Sequence, residues 1–304
     1  MILYFSRQAI HIRNGNTGQA MVLFLVVVCT VMTLLFASIA IHNMSAAKVA
    51  AANAVDAMAL NAATWEARCL NIIAALNEGI SNCITLIRVT VVVWAASAIT
   101  VAFGGLGFPI FVEATKYARE VISNCWSTAR MLASWSENIQ KMAPYLVLGE
   151  TVALAIKLEV VGILHPYDPG GPHDGENTLE LHLEQSPPMY LIDLFGPISD
   201  VIRKINRYWF LNSNMKNVKN MANSAINFLL TGNREPIYML IPEKDFNDRQ
   251  FVKFVGGREH RPLPIPFLGN NETERLFDEA QAEPYGGDAL SMTWKSRLTK
   301  REEK

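Results

Sequence analysis

The chain has 304 residues, of which 50% are hydrophobic and 18% are charged, and its formal net charge is −1. This length is enough for one or two domains with a sizeable core. A near-neutral net charge gives no electrostatic case for nucleic acid, which would need a basic face or stripe, so we expect no nucleic-acid partner. The charge is unevenly spread, because residues 21–41 and 89–112 contain no charged residue.

The first apolar run predicts a membrane anchor over residues 20–43, because a helix of this length can cross the ~30 Å hydrocarbon core of a bilayer. The preceding segment, residues 1–19, contains Arg7 and Arg13, and the first acidic residue is Asp56. By the positive-inside rule this basic leader stays in the cytoplasm. The run is longer than the apolar part of a signal peptide, so we expect an uncleaved anchor with the lipid bilayer as a partner.

Residues 44–88 predict a long helix that leaves the membrane without a break. The segment is rich in alanine, the best helix former, and its one glycine is Gly79. Small side chains allow other helices to approach closely, as they do at packed helix interfaces in membranes.

The second apolar run, residues 89–112, allows three interpretations. It is long enough to cross the membrane again, which would return the rest of the chain to the cytoplasm, and its length and hydrophobicity favour this. It could instead form a re-entrant or interfacial hairpin, or the buried core helix of a bundle outside the cytoplasm. Arg88 lies on one side of the run and Glu113, Lys116 and Arg119 on the other, so the charges do not decide.

The rest of the chain predicts a helical region over residues 113–164 and a small mixed α+β region over residues 165–304. Within the latter, LELHLE, IYMLIP and FVKFV are typical of short strands, and residues 199–230 of a helix. The last ten residues, KSRLTKREEK, predict a frayed tail. The expected fold class is mainly α, with an N-terminal transmembrane helix continuing into an alanine-rich helix, a second apolar helix and a mixed C-terminal region.

A loop after the helical region carries metal-ligand residue types without a metal-binding spacing. It is rich in glycine and proline, so an ordinary solvated loop is the favoured interpretation. The sequence has no nucleophile motif, phosphate loop or dinucleotide fingerprint either. We therefore predict no catalytic, cofactor-binding or metal-binding residues, no cofactor and no enzyme activity. The loop residues in question are His165, Asp168, His173, Asp174 and Glu176.

A basic cluster interleaved with aromatic residues allows two interpretations. A helix that contacts anionic lipid headgroups has this composition. A solvated helix face beside aromatic core residues has it too, and we favour the latter. The cluster comprises Arg203, Lys204, Arg207, Lys216 and Lys219, with Tyr208, Trp209 and Phe210 between them.

The cysteines are Cys29, Cys69, Cys83 and Cys125. Cys69 and Cys83 are fourteen residues apart on one predicted helix, roughly 21 Å, which is beyond disulfide reach. A helical hairpin could still bring one of these two near Cys125, but we do not favour this arrangement.

Two blocks of the sequence carry a family resemblance. The first is the apolar run after Gly18-Gln19 with the alanine-rich stretch around residues 53–60, followed by ATWEARCLN and Asn77. The second is AQAEPYGGDALSMTWKSRL, residues 280–298. The blocks resemble the TadE/TadG-like proteins of bacterial Flp (tight adherence) pilus assembly, some of which have ATWQARxLNxxxxxNR after the apolar helix and end with an alanine-rich helix and W-x-x-RL. Processed pilins of this kind carry a glutamate five residues after the glycine. Here that position is Leu23, so processing at Gly18 and pilin-like polymerisation are not implied.

The resemblance implies a structural component of a pilus or secretion apparatus in the bacterial inner membrane, with a cytoplasmic N-terminus and a periplasmic C-terminal region. Its expected partners are other membrane proteins of that apparatus and further copies of itself. The alternative is an accessory or regulatory membrane subunit with two spans and a cytoplasmic C-terminal domain.

Overall fold

A computed structural model of the chain describes the backbone of residues 2–102, 107–165, 179–196, 213–244, 246, 250–260 and 273–299. Side chains are described for the same residues except 2–18, 102, 213–215 and 274. The described chain is mostly helical, with a small sheet region near its C-terminal end.

Helix α1, Ile2–Ala102, is one unbroken helix of 101 residues. The segment contains no proline, and its alanine-rich centre has a high helix propensity. At 1.5 Å per residue the helix is about 150 Å long. The prediction that the first apolar run continues into the alanine-rich helix is thereby confirmed, and α1 also takes up the first half of the second apolar run.

Among the described residues, α1 is the one helix that is long and apolar enough to cross a membrane by length and composition. The qualifying window is at the N-terminal end, and none of it is buried inside the fold. Its large side chains, from Met21 to Ile41, are exposed.

Helix α2, Phe108–Leu158, runs antiparallel to α1 and forms a long hairpin with it. Gly107 and Pro109 mark its start, since proline is tolerated in the first helical turn. The expected separate helix over residues 89–112 is therefore wrong: residues 89–102 end α1, and residues 108–112 begin α2.

The predicted helical region over residues 113–164 is too long at its C-terminal end. Helix α2 ends at Leu158, and Glu159 takes a left-handed conformation with φ 55°. The following residues form strand β1, Val160–His165. A short apolar run such as VVGIL fits a buried helix or a strand equally well, and pairing with another strand decides between them here.

The remaining strands form two small antiparallel sheets. The larger has the order β1-β4-β5-β6, with β4 at Val252–His260, β5 at Glu274–Tyr285 and β6 at Lys295–Leu298. The smaller pairs β2, Leu183–Gln185, with β3, Leu240–Pro242. The strands expected from LELHLE, IYMLIP and FVKFV are confirmed, although β2 and β3 take up only the ends of the first two.

Two expectations for the C-terminal end are wrong. Residues 280–285, for which the resemblance implied a helix, belong to β5, where Ala280 and Ala282 face the core and pair with Phe254 and Val252. Residues 295–298, expected to fray, form β6 and pair with the end of β5. Small alanine side chains suit a sheet that packs closely on a helix, and this contact outweighs their helix propensity.

Helix α3, Ser213–Gly232, confirms part of the helix expected over residues 199–230, and a 3-10 helix covers Leu191–Phe195. Residues 199–212 lie outside the described part of the chain. Both elements pack against the end of the α1–α2 hairpin that contains the turn between the two helices.

Helix α1 is the common support of three buried clusters. Residues 55–63 pack against the larger sheet, residues 67–73 against β2, β3 and Trp294, and residues 80–101 against α2, α3 and the 3-10 helix. The core therefore follows the C-terminal half of α1, while the N-terminal apolar run has no packing partner within the described chain.

Candidate functional site

The most specific polar contacts join α1 to the last described segment of the chain. Asn71 makes two hydrogen bonds to the backbone of Trp294: its Nδ2 donates to the carbonyl oxygen at 3.0 Å, and its Oδ1 accepts from the amide at 3.0 Å. Two helical turns earlier, the hydroxyls of Thr64 and Ser296 are 2.8 Å apart. We call the surface formed by residues 64–77 and residues 288–298 the docking seam.

Asn77 extends the docking seam to a loop and to β3. Its Nδ2 donates to the carbonyl oxygen of Leu240 at 2.6 Å and to that of Ala289 at 3.0 Å. An asparagine side chain that satisfies backbone groups fixes the position of a segment that has no regular partner strand. The loop before β6 is therefore bound to α1 at two points, Ala289 and Trp294.

Apolar contacts complete the docking seam. The ring of Trp294 packs against Phe246 with 5.0 Å between the ring centroids, and both belong to the cluster formed with Leu70 and Ile73. On the outer side, the guanidinium of Arg68 lies 4.6 Å from the centre of the Trp65 ring.

The seam contains a buried carboxyl group, Glu66, which is 1% exposed. By distance and angle neither of its oxygens has a hydrogen-bond partner among the described residues, although the side chain of Gln250 is close enough to act on it. Burial raises its pKa to about 8, and the nearby amide of Gln250 offsets this only partly. Glu66 is therefore a largely neutral carboxylic acid at pH 7, in the centre of the contact between α1 and the C-terminal region.

Glu66 also affects the thiol one turn further along α1. Burial, and secondarily the charge of Glu66, raise the pKa of Cys69 to about 11. A thiol with a raised pKa is a poor nucleophile at neutral pH because the thiolate is the reactive form. Glu66 and Cys69 are therefore buried side chains of the core, and neither is a reactive group.

The structure has a small cleft beside Asn77, lined also by Leu70, Ile73, Asp288 and Trp294. The space has room for about one water molecule. It is too small for an organic substrate or cofactor, so it is a small packing defect in the docking seam.

Comparison with family models, with curated proteins and with solved structures finds no match.

The metal-ligand residue types of the sequence lie mostly outside the described residues. His165 is the exposed last residue of β1, whereas Asp168, His173, Asp174 and Glu176 are not described. Within the described ranges, no group of three or more potential ligand side chains is close enough to hold a metal ion.

The basic cluster is also only partly described. Lys216 and Lys219 lie on α3, the first exposed and the second half-buried. Arg203, Lys204, Arg207 and the three aromatic residues between them fall outside the described part of the chain.

Sequence reasoning named the ATWEARCLN segment but did not predict that Glu66 is buried. The signal was its spacing. Glu66 follows Ala62 and Ala63 by four and three residues and precedes Cys69 and Leu70 by three and four, so all five share one helical face. A charged residue on an otherwise apolar face predicts a buried, perturbed group.

Proposed function

We propose that this chain is a non-enzymatic, membrane-anchored structural component of a bacterial Flp-type pilus or a related secretion apparatus, similar to TadE/TadG-like proteins. In this proposal residues 20–43 cross the inner membrane, the leader is cytoplasmic, and the folded region beyond the anchor is periplasmic. The observation that carries it is the continuity of α1 from the apolar run into the docking seam.

The exposure of the first apolar run supports the anchor. An apolar surface as long as residues 21–41, with no packing partner among the described residues, is unstable in water. A bilayer removes it from water along its whole length. The absence of acidic residues before Asp56, together with Arg7 and Arg13, supports a cytoplasmic N-terminus.

The length of α1 supports a single crossing. Residues 43 and 89 are separated by ~70 Å along the same helix, more than twice the ~30 Å thickness of the hydrocarbon core. A bilayer that holds the first run would therefore leave residues 89–102 far outside it. This geometry disfavours the alternative of a two-span accessory subunit with a cytoplasmic C-terminal domain.

The docking seam supports the family resemblance. Of the residues that carry the first block, Thr64, Asn71 and Asn77 form hydrogen bonds to the C-terminal region. The partners of Asn71 and Thr64 in these contacts are Trp294 and Ser296, which belong to the second block. Two blocks more than 200 residues apart in the sequence thus form one contact surface, which gives a physical reason for their occurrence in the same chain.

The role we propose is mechanical. Helix α1 would act as a stalk that fixes the folded region at a set distance from the membrane, and the small side chains of residues 44–54 would pack against other subunits or further copies of the chain. No step of this role requires a catalytic group.

The test of the topology is a reporter fused after Lys304 that is active only outside the cytoplasm. We expect this reporter to be active. If it is silent, and a reporter that is active only in the cytoplasm works at the same position, the proposal is contradicted. A fusion of the same reporter after Gly15 is the matched control, because it precedes the anchor and should be silent.

The test of the partner class is co-purification with pilus-assembly or secretion-system membrane proteins, in a strain that assembles such an apparatus. Detergent extracts of that strain should yield at least one such component with the full chain. A chain that purifies alone after mild chemical cross-linking would argue against the assembly role while leaving the topology intact.

A further inference from the structure

The α1–α2 hairpin brings two cysteines to the same level on facing helices. Two contacts establish the register: Trp94 Nε1 donates to Thr115 Oγ1 at 2.9 Å, and a side chain at Gly79 would lie 3.0 Å from Leu132 Cδ1. Residues 79–94 of α1 therefore face residues 115–132 of α2. Cys83 and Cys125 lie inside these ranges, at corresponding heights.

The surroundings of the two thiols agree with this register. Both side chains are half-buried and pack against the same cluster, beside Ile84 on α1 and Trp126 on α2. Burial raises the pKa of both thiols, and the nearby Cys83 raises that of Cys125 further. An electrostatic effect of one thiol on the other requires that they be close.

The other two cysteines are not placed for such a contact. Cys69 is buried in the docking seam, roughly 21 Å along α1 from Cys83. Cys29 lies within the apolar run, far from the hairpin. All four are free thiols in this structure.

We propose that Cys83 and Cys125 are a redox pair that closes into a disulfide across the α1–α2 hairpin when the chain meets a disulfide-bearing oxidant. One cysteine attacks the oxidant's disulfide as its thiolate, which the raised pKa makes a minor form at neutral pH, so the step is slow; it forms a mixed disulfide and releases one thiol. The second cysteine then attacks the sulfur of its partner in this mixed disulfide, forming the Cys83–Cys125 bond and releasing the second thiol. The two cysteines lose two electrons and two protons, and both appear on the two thiols of the reduced oxidant.

The consequence is a covalent tie between the two long helices. Such a bond restricts the unfolded chain by closing the loop between residues 83 and 125. Its formation in the cell rests on the proposed function, because disulfides persist outside the cytoplasm and are rare within it.

The experiment uses the full chain, purified in detergent and reduced, then incubated with oxidised glutathione. After acid quenching and denaturation, the free thiols are counted with a polyethylene glycol maleimide. We expect four labelled thiols before oxidation and two after it. Four labelled thiols after prolonged oxidation of the folded protein would overturn the proposal.

Tryptic peptides identify the bond. Cleavage after Arg68, Arg88, Arg119 and Arg130 places Cys83 in residues 69–88 and Cys125 in residues 120–130. The linked pair of peptides is expected from the wild type and from Cys69→Ala, the matched control, which removes the other cysteine of the first peptide. It should be lost in Cys83→Ala. Its persistence in Cys83→Ala would assign the bond to Cys69 and overturn the proposal.

A count of the free thiols in chains trapped by acid directly from cells tests the cysteine pair and the proposed periplasmic location separately. Two free thiols in cells would support both. A chain that is fully reduced in cells but closes the bond in vitro supports the cysteine pair and contradicts the periplasmic location. A chain that fails to close in vitro overturns the pair, and the reporter fusion after Lys304 still decides the location.

Discussion

The two apolar runs of this chain both lack charged residues but have very different surroundings. In the first run Met21 is 74% exposed and Leu25 is 62% exposed, and no described element covers them. In the second, Val91 and Val101 are fully buried and Trp94 is 3% exposed. Trp94 stacks on Phe111 and donates to Thr115. Hydrophobicity alone therefore does not separate a membrane segment from the core of a helical hairpin; packing partners do.

The largest expected effect comes from charging the two runs in turn. Replacing Leu25 and Val28 together by arginine places two charges near the middle of the first run, at a cost of about 5 to 7 kcal/mol for insertion. We expect the chain to leave the membrane fraction in alkaline carbonate extraction.

The matched control places the same two charges in the second run, at Val92 and Val93, which are 53% and 59% exposed. This variant should remain in the membrane fraction. If this variant is released as the first variant is, the second run also contacts the bilayer, and the conclusion that only the first run lies in the membrane is wrong.

The next effect concerns the stretch of α1 between the runs, where Glu66 is buried. The folded state holds its proton up to a pKa of about 8, and the unfolded state releases it near the ordinary value of 4.5. The unfolded state thus binds fewer protons between these values, so stability falls as the pH rises from about 4.5 to about 8 and levels off above. The full difference is of the order of 5 kcal/mol, from about 1.36 kcal/mol for each pKa unit.

Glu66→Gln removes this titration while keeping the size and shape of the side chain. Thermal unfolding of the full chain in detergent, followed by circular dichroism at pH 5, 7 and 8.5, should show a flatter pH dependence for the variant. The same decline in both proteins would show that Glu66 is not the titrating group. Glu78→Gln, on the exposed side of α1, is the control and should keep the wild-type decline.

A smaller effect is expected from the core of the second run. Trp94→Ala removes the stacking on Phe111, the edge contact with Phe195 and the hydrogen bond to Thr115. Truncation of a buried tryptophan costs about 3 to 5 kcal/mol. Chemical denaturation should show this loss, whereas Val93→Ala, next to it and exposed, should change stability by less than about 0.5 kcal/mol. Equal losses in both variants would mean that this end of α1 is not packed as described.

The smallest effect is expected from the docking seam. Asn71→Ala removes two hydrogen bonds to Trp294, and leaving the backbone groups of that residue unpaired costs about 1 to 3 kcal/mol. Faster amide hydrogen exchange in residues 288–298 is the expected local sign. As the control, Asn53→Ala, on the exposed side of α1, should leave the amide exchange of residues 288–298 unchanged. If Asn71→Ala also leaves it unchanged, the hydrogen bonds of Asn71 do not stabilise the docking seam.

Much of the helical architecture could be predicted from sequence, because it depends on local properties. The absence of proline, the alanine content and the first apolar run predict a continuous helix over residues 20–88, although they did not predict that it continues to Ala102. The turn before α2 was visible in Gly107 and Pro109. Chain segments 160–165 and 280–285 were misjudged, because their residues fit either kind of element and their state depends on pairing with β4.

The sequence by itself determined that the chain contains an apolar helix long enough for a membrane, and that a long alanine-rich helix follows it. Only the tertiary structure decided that the second run packs against α2, that Glu66 is buried at the docking seam, and that Cys83 and Cys125 lie at corresponding levels of the hairpin. The reason is physical: helix propensity and hydrophobicity are properties of neighbouring residues, whereas burial, register and pKa depend on segments that meet from more than 200 positions away or across a hairpin.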